Sequence, residues 1–520
     1  MNVVDVRRRV VAAGRRRAPR PIAWLCSLAL LLVAVGCALS ALVALGDGAR
    51  PGVGFGVVAL AAGAAGAGLL RSARPPTRIP PPDAVLAVVA AWTTSVVAST
   101  VVYLATGGID DVDRALFESA SGYATSALSA VPDPAVLPDS VLLWRAWTQW
   151  TAGFGALLVV VVVLPTIGLG ILRRRPRGAT NGRIVGSGGA LVPGSRRASE
   201  IRRRLAVAYL VLTGIGVAAY LLGGLGPFDA VTYAFTTVST GGFTNRAPLE
   251  SFGGARLQWA AIGGMVVAGA GIALVWRGAR EVRDEVARSR ELRTYALVLA
   301  IGTVVLTVAE HDGAAVHDRV RIALFTSASL VSTTGFAAED WTAWGELAQV
   351  VVLALLAVGA MSGSPGGGFR ILRARVLAAY AASVVLTEEH RRAAVPVTLG
   401  DTPVPGDVTQ RMVGYQVLWI ASAFVGAVLL AATGLDAAGS VSGAISALAT
   451  VGPALGDLSP SRDVAHLAGA DLVVLGGLAL TGRVGVYPVL ATVPALLARR
   501  RRRRVLRRRA RAGRRTGATG

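Results

Sequence analysis

"ALFTSASLVSTTGF", residues 323–336, and "ALFESASGYATSAL", residues 115–128, are two versions of one phrase. In the first, Thr326, Ser327, Ser329, Ser332, Thr333 and Thr334 crowd hydroxyls into a strongly apolar setting and end at Gly335. Related phrases stand at 232–245, "TYAFTTVSTGGFTN", and at 443–457, "GAISALATVGPALGD". Each is too short to cross a bilayer, which takes about 20 residues of helix.

The rest of the chain is membrane material. Of its 520 residues 53% are hydrophobic and only 16% charged, and the mean hydropathy is +0.58. Nearly uncharged runs at 22–46, 53–70, 84–106, 154–172, 204–224, 257–276, 293–309, 346–361, 412–433 and 470–495 read as ten spanning helices. The first is long, lacks an A-x-A cleavage site and is followed by further spans, so it is read as a span and not as a signal peptide. There is no lysine, and arginine clusters at 7–20, 71–78, 173–204, 277–293, 370–392 and 499–515. Acids such as Asp110, Asp111, Glu250, Asp312, Asp340, Asp436 and Asp457 fall in the alternate loops. Ten crossings put every arginine cluster on one side, which by the positive-inside rule is the cytoplasm and holds both termini.

That arrangement removes nucleic acid as the partner of the net charge of +23. The basic tail directly after a span faces anionic membrane lipids, or serves only as a topology anchor. Cys26 and Cys37 share one apolar run, and the four histidines match no metal-ligand spacing. No nucleophile, base or paired-carboxylate pattern appears, so an enzyme is not expected and no cofactor is called for.

Each hydroxyl-rich phrase lies on the acidic side, between an outgoing and a returning span. The last eight spans thus form four units of helix, re-entrant loop and helix, with 22–46 and 53–70 as an additional pair. The expected fold is an all-α polytopic membrane protein, four pseudo-symmetric repeats around a central pore. Extended backbone at membrane depth is tolerated only in protein or beside a water-filled path. Four short helices would aim their negative C-terminal ends at the membrane centre. The Ser/Thr and Gly residues beyond would offer oxygens to a dehydrated monovalent cation. One such loop alone would read as an outer turn or a small-residue helix contact; four at matching positions read as a filter.

These residues resemble the Trk/Ktr superfamily of potassium transporters over about residues 84–500, and the extra N-terminal pair is similar to its TrkH branch. "STGGF" (239–243), "STTGF" (332–336) and "TVGPALG" (450–456) look like filter loops. "WRAWTQWTAGFG" (144–155), "GSPGGGFRILR" (363–373) and "GRVGVYPVL" (482–490) resemble further family segments. The resemblance implies K+ uptake through a filter of Thr125, Ser126, Ala127, Thr240, Gly241, Gly242, Thr333, Thr334, Gly335, Thr450, Val451 and Gly452, with K+ the only metal, held there. It also implies a homodimer, a cytoplasmic nucleotide-binding regulatory subunit of the TrkA/KtrA kind, and a bacterial inner-membrane location. Ala127 departs from the family's glycine. Sodium-carrying members of the plant branch have Ser at this place, so the ion is K+ or Na+.

"GSPGGG" lacks the G-K-[ST] ending of a phosphate-binding loop. Gly366, Gly367 and Gly368 each lower helix propensity by roughly 1 kcal/mol, and read as a gate in a broken helix, or as a packing kink. Arg370 and Arg483 are the expected pore charges. An arginine at the bilayer centre costs about 2.5–3.5 kcal/mol or more, which favours a cavity-facing Arg483 over one that snorkels from a helix end. The expected divisions are 1–82 (N-terminus and helix pair), 83–175, 176–283, 284–392 and 393–500 (the four repeats) and 501–520 (the arginine tail). The rival readings are a non-transporting regulatory or assembly relative and, from another class, a polytopic lipid-modifying enzyme.

Overall fold

In hydrocarbon every backbone group must bond within its own segment, so long apolar runs become helices. The computed structural model describes residues 20–47, 49–73, 79, 81–159, 196–272, 289–309, 315–389, 395–400, 402–462 and 464–497. The N-terminal pair is α1 (Pro21–Asp47) and α2 (Ala49–Ser72). Repeat 1 has α3 (Pro81–Thr106), the short α4 (Val112–Ala124) and α5 (Asp139–Leu158). Repeat 2 has α6 (Arg196–Leu222), the short α7 (Pro227–Val238) and α8 (Ala255–Ala270). Repeat 3 has α9 (Arg290–Ala309), the short α10 (Val316–Ser332) and α11 (Glu346–Val358), followed by α12 (Ile371–Glu389). Repeat 4 has α13 (Gly406–Thr433), the short α14 (Ala437–Ala449), α15 (Gly469–Val484) and α16 (Val486–Leu490). A two-residue β-hairpin, Thr398–Leu399 with Thr402–Pro403, precedes α13.

The all-α repeat architecture is as expected, but the spans are not all continuous. Among the described residues six helices are long and apolar enough to cross a membrane: α1, α2, α3, α6, α9 and α13. The returning helices of repeats 2, 3 and 4 are shorter than these. Glycines with positive φ stop α8 at Gly271 (105°), α11 at Gly359 (72°) and α15 at Gly485 (102°). The expected spans 346–361 and 470–495 are therefore each interrupted, because a left-handed residue cannot continue a right-handed helix. The expected span at 154–172 starts much earlier, at Asp139, and its residues from 160 on lie outside the described set. The arginine clusters at 7–19 and 499–515 and most of the 173–203 linker also lie outside it.

The repeats close into a ring. Each short helix packs on the returning helix of the preceding repeat: α7 on α5, α10 on α8, α14 on α11, and α4 on α15. The N-terminal pair flanks repeat 1, where Trp147 of α5 donates its indole N–H to Leu32 O at 3.1 Å. Close approach needs small residues there: a side chain at Gly36 would strike Trp147, and one at Gly54 the backbone of Ala105. The outer helix faces carry exposed Leu42, Leu45 and Leu60, as helices in lipid do.

Candidate ion filter

The four short helices end alike. Thr125, Thr240, Thr333 and Thr450 hold φ of 52°, 53°, 62° and 59°. The N–H of each donates to the carbonyl three residues back, and the next residue's N–H to the carbonyl five back. Ser126 thus bonds to Ser121 O (3.0 Å), Gly241 to Thr236 O (2.7 Å), Thr334 to Ser329 O (2.9 Å) and Val451 to Ser446 O (2.9 Å). This is a Schellman cap, whose left-handed residue is usually Gly or Asn. A β-branched residue in this region is an outlier that costs about 1–2 kcal/mol. Strain repeated four times at one structural position marks function.

Two residues further, Gly242, Gly335 and Gly452 are again left-handed (79°, 82° and 118°), whereas Ala127 is not among the positive-φ residues. Glycine is required here by space as well as by φ. A side chain at Gly242 would strike Thr334 O, one at Gly335 would strike Val451 O, and one at Gly452 the N–H groups of Ala127 and Leu128. The four loops therefore meet edge to edge. Ala127 sits against all three neighbours: its Cβ lies 2.7 and 2.6 Å from where side chains of Gly242 and Gly335 would begin, and its N–H donates to Val451 O at 3.0 Å.

Not all the expected filter residues present free oxygens. The carbonyls of Ser126 and Gly241 accept from Gln149 Nε2 (3.0 and 2.9 Å), and that of Val451 accepts from Ala127. The Thr level differs: Thr125 Oγ1 and Thr450 Oγ1 are buried without a hydrogen-bond partner. Such hydroxyls at converging helix C-termini suit a cation, since both the lone pairs and the helix ends are negative. The row of hydroxyls in 323–336 divides its tasks. Ser329 braces the returning strand through Phe336 O (2.7 Å), and Ser332 pairs with Thr334 (2.7 Å). Ser327 packs instead against Gly302 of α9.

The sequence reading missed how loops 1 and 2 are clamped. Glu118 and Arg145 form an ion pair at 2.8 Å with side-chain exposures of 0% and 2%. Arg145 also donates to Thr244 O (2.9 Å) and Ser129 Oγ (2.8 Å) and lies over the Phe243 ring at 4.4 Å. Glu118 accepts from the Ala130 N–H at 2.8 Å. One turn along α5, Gln149 Oε1 accepts from the Phe243 N–H at 3.0 Å. Arg145 and Gln149 thus share one helix face, because residues four apart are neighbours, and that face holds the two strands after the filter. Loop 3 has Thr326 where loop 1 has Glu118, with its hydroxyl unpartnered. The charged residue Arg145 inside an apolar run was the available signal.

Below the ring, residues 359–370 leave helical geometry. The Gly367 N–H donates to Thr333 Oγ1 at 2.9 Å, and a side chain at Gly367 would strike Ala449 O and Thr450 Oγ1. The Gly stretch is thereby pressed against the ends of α10 and α14. Arg370 is left-handed (67°) and donates to Gly366 O at 3.0 Å. Arg483 lies beside the end of α15, as the snorkelling alternative requires, yet it is buried and bonds to Pro365 O.

Comparisons with known proteins place the fold. The TrkH family, described as a cation transport protein, matches residues 58–498. The Trk system potassium uptake protein TrkI of Halomonas elongata is 28% identical over 496 residues, 93% of this chain and 97% of that protein. The TrkH potassium uptake protein of Escherichia coli is 25% identical over 66% of this chain and 71% of its own. The crystal structure of the potassium transporter TrkH from Vibrio parahaemolyticus superposes with a TM-score of 0.81 at 25% identity, covering 91% of this chain and 97% of that one.

Proposed function

The chain belongs to the TrkH family of cation transport proteins, and from that premise we propose that it takes up K+ across the cell membrane through the ring formed by its four loops. The family and its named relatives are transporters and not enzymes. The observation that carries the reading is the set of four left-handed threonines. Alternating left-handed and extended residues let carbonyls of one strand face one side, and the Thr hydroxyls add a further layer of oxygens. Thr125, Thr240, Thr333 and Thr450, with Gly242, Gly335 and Gly452, are the ligating positions, and Ala127 stands at the corresponding place in loop 1 without the left-handed turn. Ser126, Gly241, Thr334 and Val451 join them along the strand. The membrane potential drives entry, worth about 2.3 kcal/mol per charge per 100 mV.

The Gly366–Gly368 stretch is the gate, since it lies directly under Thr333 and Thr450, and its bond to Arg483 through Pro365 holds it there. Relatives named as members of Trk systems support a multi-component complex; in our proposal this chain acts there as a homodimer in the bacterial inner membrane, with cytoplasmic termini as the arginine distribution favours, and with a nucleotide-binding regulatory subunit. Replacing Gly242, Gly335 and Gly452 singly by Ser tests the filter. Each variant should insert normally but lose uptake or change ion preference. Unaltered K+ over Na+ preference in all three would remove the assignment.

A further inference from the structure

Beneath the Gly stretch lies a cavity of about 80 Å³ lined by Arg370, Arg373, Arg411 and Arg483. Among the described residues that line it there is no carboxylate. The four guanidinium groups come from different elements: Arg370 from the non-helical stretch, Arg373 from α12, Arg411 from α13 and Arg483 from α15. Arg373 is fixed over the Tyr415 ring at 3.8 Å, and Arg411 pairs loosely with Asp407 at 3.6 Å. Arg483 is 91% buried by its 9% exposure, and only its bond to Pro365 O satisfies it: Nε and Nη2 have no hydrogen-bond partner.

A cation leaving the ring toward the cytoplasm meets this cluster, which repels it. Buried unpaired guanidinium donors call for an acceptor of opposite charge. The planar fork of arginine matches the oxygens of a phosphate or sulfate two at a time. The cavity has room for a tetrahedral oxyanion.

We propose that this cavity binds a phosphate-sized oxyanion, and that the bound anion keeps the path shut. The anion would join α12, α13 and α15 to the Gly stretch, four elements that have to separate for the stretch to leave Thr333 and Thr450. Binding itself stands apart from the transport reading; the effect on flux rests on it. The phosphate can be free or belong to a lipid head group.

The test uses the full-length purified protein. In detergent, after lipid removal, inorganic phosphate should give saturable binding by calorimetry, weakened at least tenfold in Arg373→Gln and in Arg411→Gln. In phosphatidylcholine vesicles, phosphate on the cytoplasmic face should lower Rb+ flux at least fivefold relative to gluconate, and that ratio should approach one in both variants. If phosphatidylglycerol in the vesicles lowers flux without free phosphate, and phosphate then adds nothing, the lipid head group is the occupant. Binding that ignores both substitutions overturns the site, as does the absence of any phosphate or phosphatidylglycerol effect. Binding without an effect on flux overturns the closing role. Rb+ flux without oxyanion binding leaves the transport reading intact, whereas oxyanion binding by a protein that passes neither Rb+ nor K+ removes the transport reading and leaves the site.

Discussion

Ala127→Gly should make the protein discriminate better between K+ and Na+. At the three other corresponding positions glycine is left-handed, whereas Ala127 is not. Forcing alanine into that region costs about 1–2 kcal/mol, so loop 1 keeps another course and gives its N–H to Val451 O. Glycine removes that cost and also removes the methyl group wedged against Gly242 and Gly335. It brings back roughly 0.5–1 kcal/mol of backbone freedom to be lost. The net gain of about 1 kcal/mol in holding a fourth inward carbonyl corresponds to roughly a fivefold change. K+ depends on a complete set of carbonyls to replace its water, so the gain falls on K+. Reversal potentials under bi-ionic K+/Na+ conditions should show the permeability ratio rising by about that factor, with thermal stability unchanged within about 1 kcal/mol. An unchanged or lower ratio in a stably folded Ala127→Gly protein would refute the reasoning and leave the Thr hydroxyls as the discriminating ligands.

Glu118→Gln leaves Arg145 buried beside a neutral partner, and removing one member of a buried pair costs about 3–5 kcal/mol; lower melting temperature and yield are expected, and full stability would show that the pair is dispensable. Replacing both, Glu118→Leu with Arg145→Met, should recover most of the stability but not the K+/Na+ ratio, because Thr244 O and the Ala130 N–H lose their partners. Gln149→Leu frees the carbonyls of Ser126 and Gly241 and strands the Phe243 N–H, so reversal potentials should shift toward no selectivity while overall flux persists. Gly367→Ala meets Ala449 O and Thr450 Oγ1 and should displace the Gly stretch, changing Rb+ flux severalfold with little effect on ion preference; unaltered flux would make the stretch a packing kink.

The helix, half-helix, helix repeat was legible because hydropathy, charge side and the repeated phrase agree, and each rests on a strong physical constraint. The position of Ala127 opposite Gly335 followed from aligning "ALFESAS" with "ALFTSAS", and both residues stand two beyond a left-handed threonine. The threonines themselves gave no warning, since propensity places glycine or asparagine in that conformation. The interruption at Gly485 was hidden because hydropathy counts residues and ignores φ; a single glycine in an apolar run reads as a small packing residue. The clamp was hidden for another reason. Glu118 lies among hydroxyls and Arg145 among tryptophans, and only the fold brings the two within 2.8 Å.

K+ and Na+ flux through the purified wild-type chain in vesicles, under an imposed membrane potential, tests the ring most directly. K+ should enter down the potential, with measurable but weaker entry of Na+, and Gly335→Ser should abolish or invert that preference. A correctly inserted protein that passes neither ion, with and without the cytoplasmic subunit, would contradict the assignment of the four loops to ion conduction.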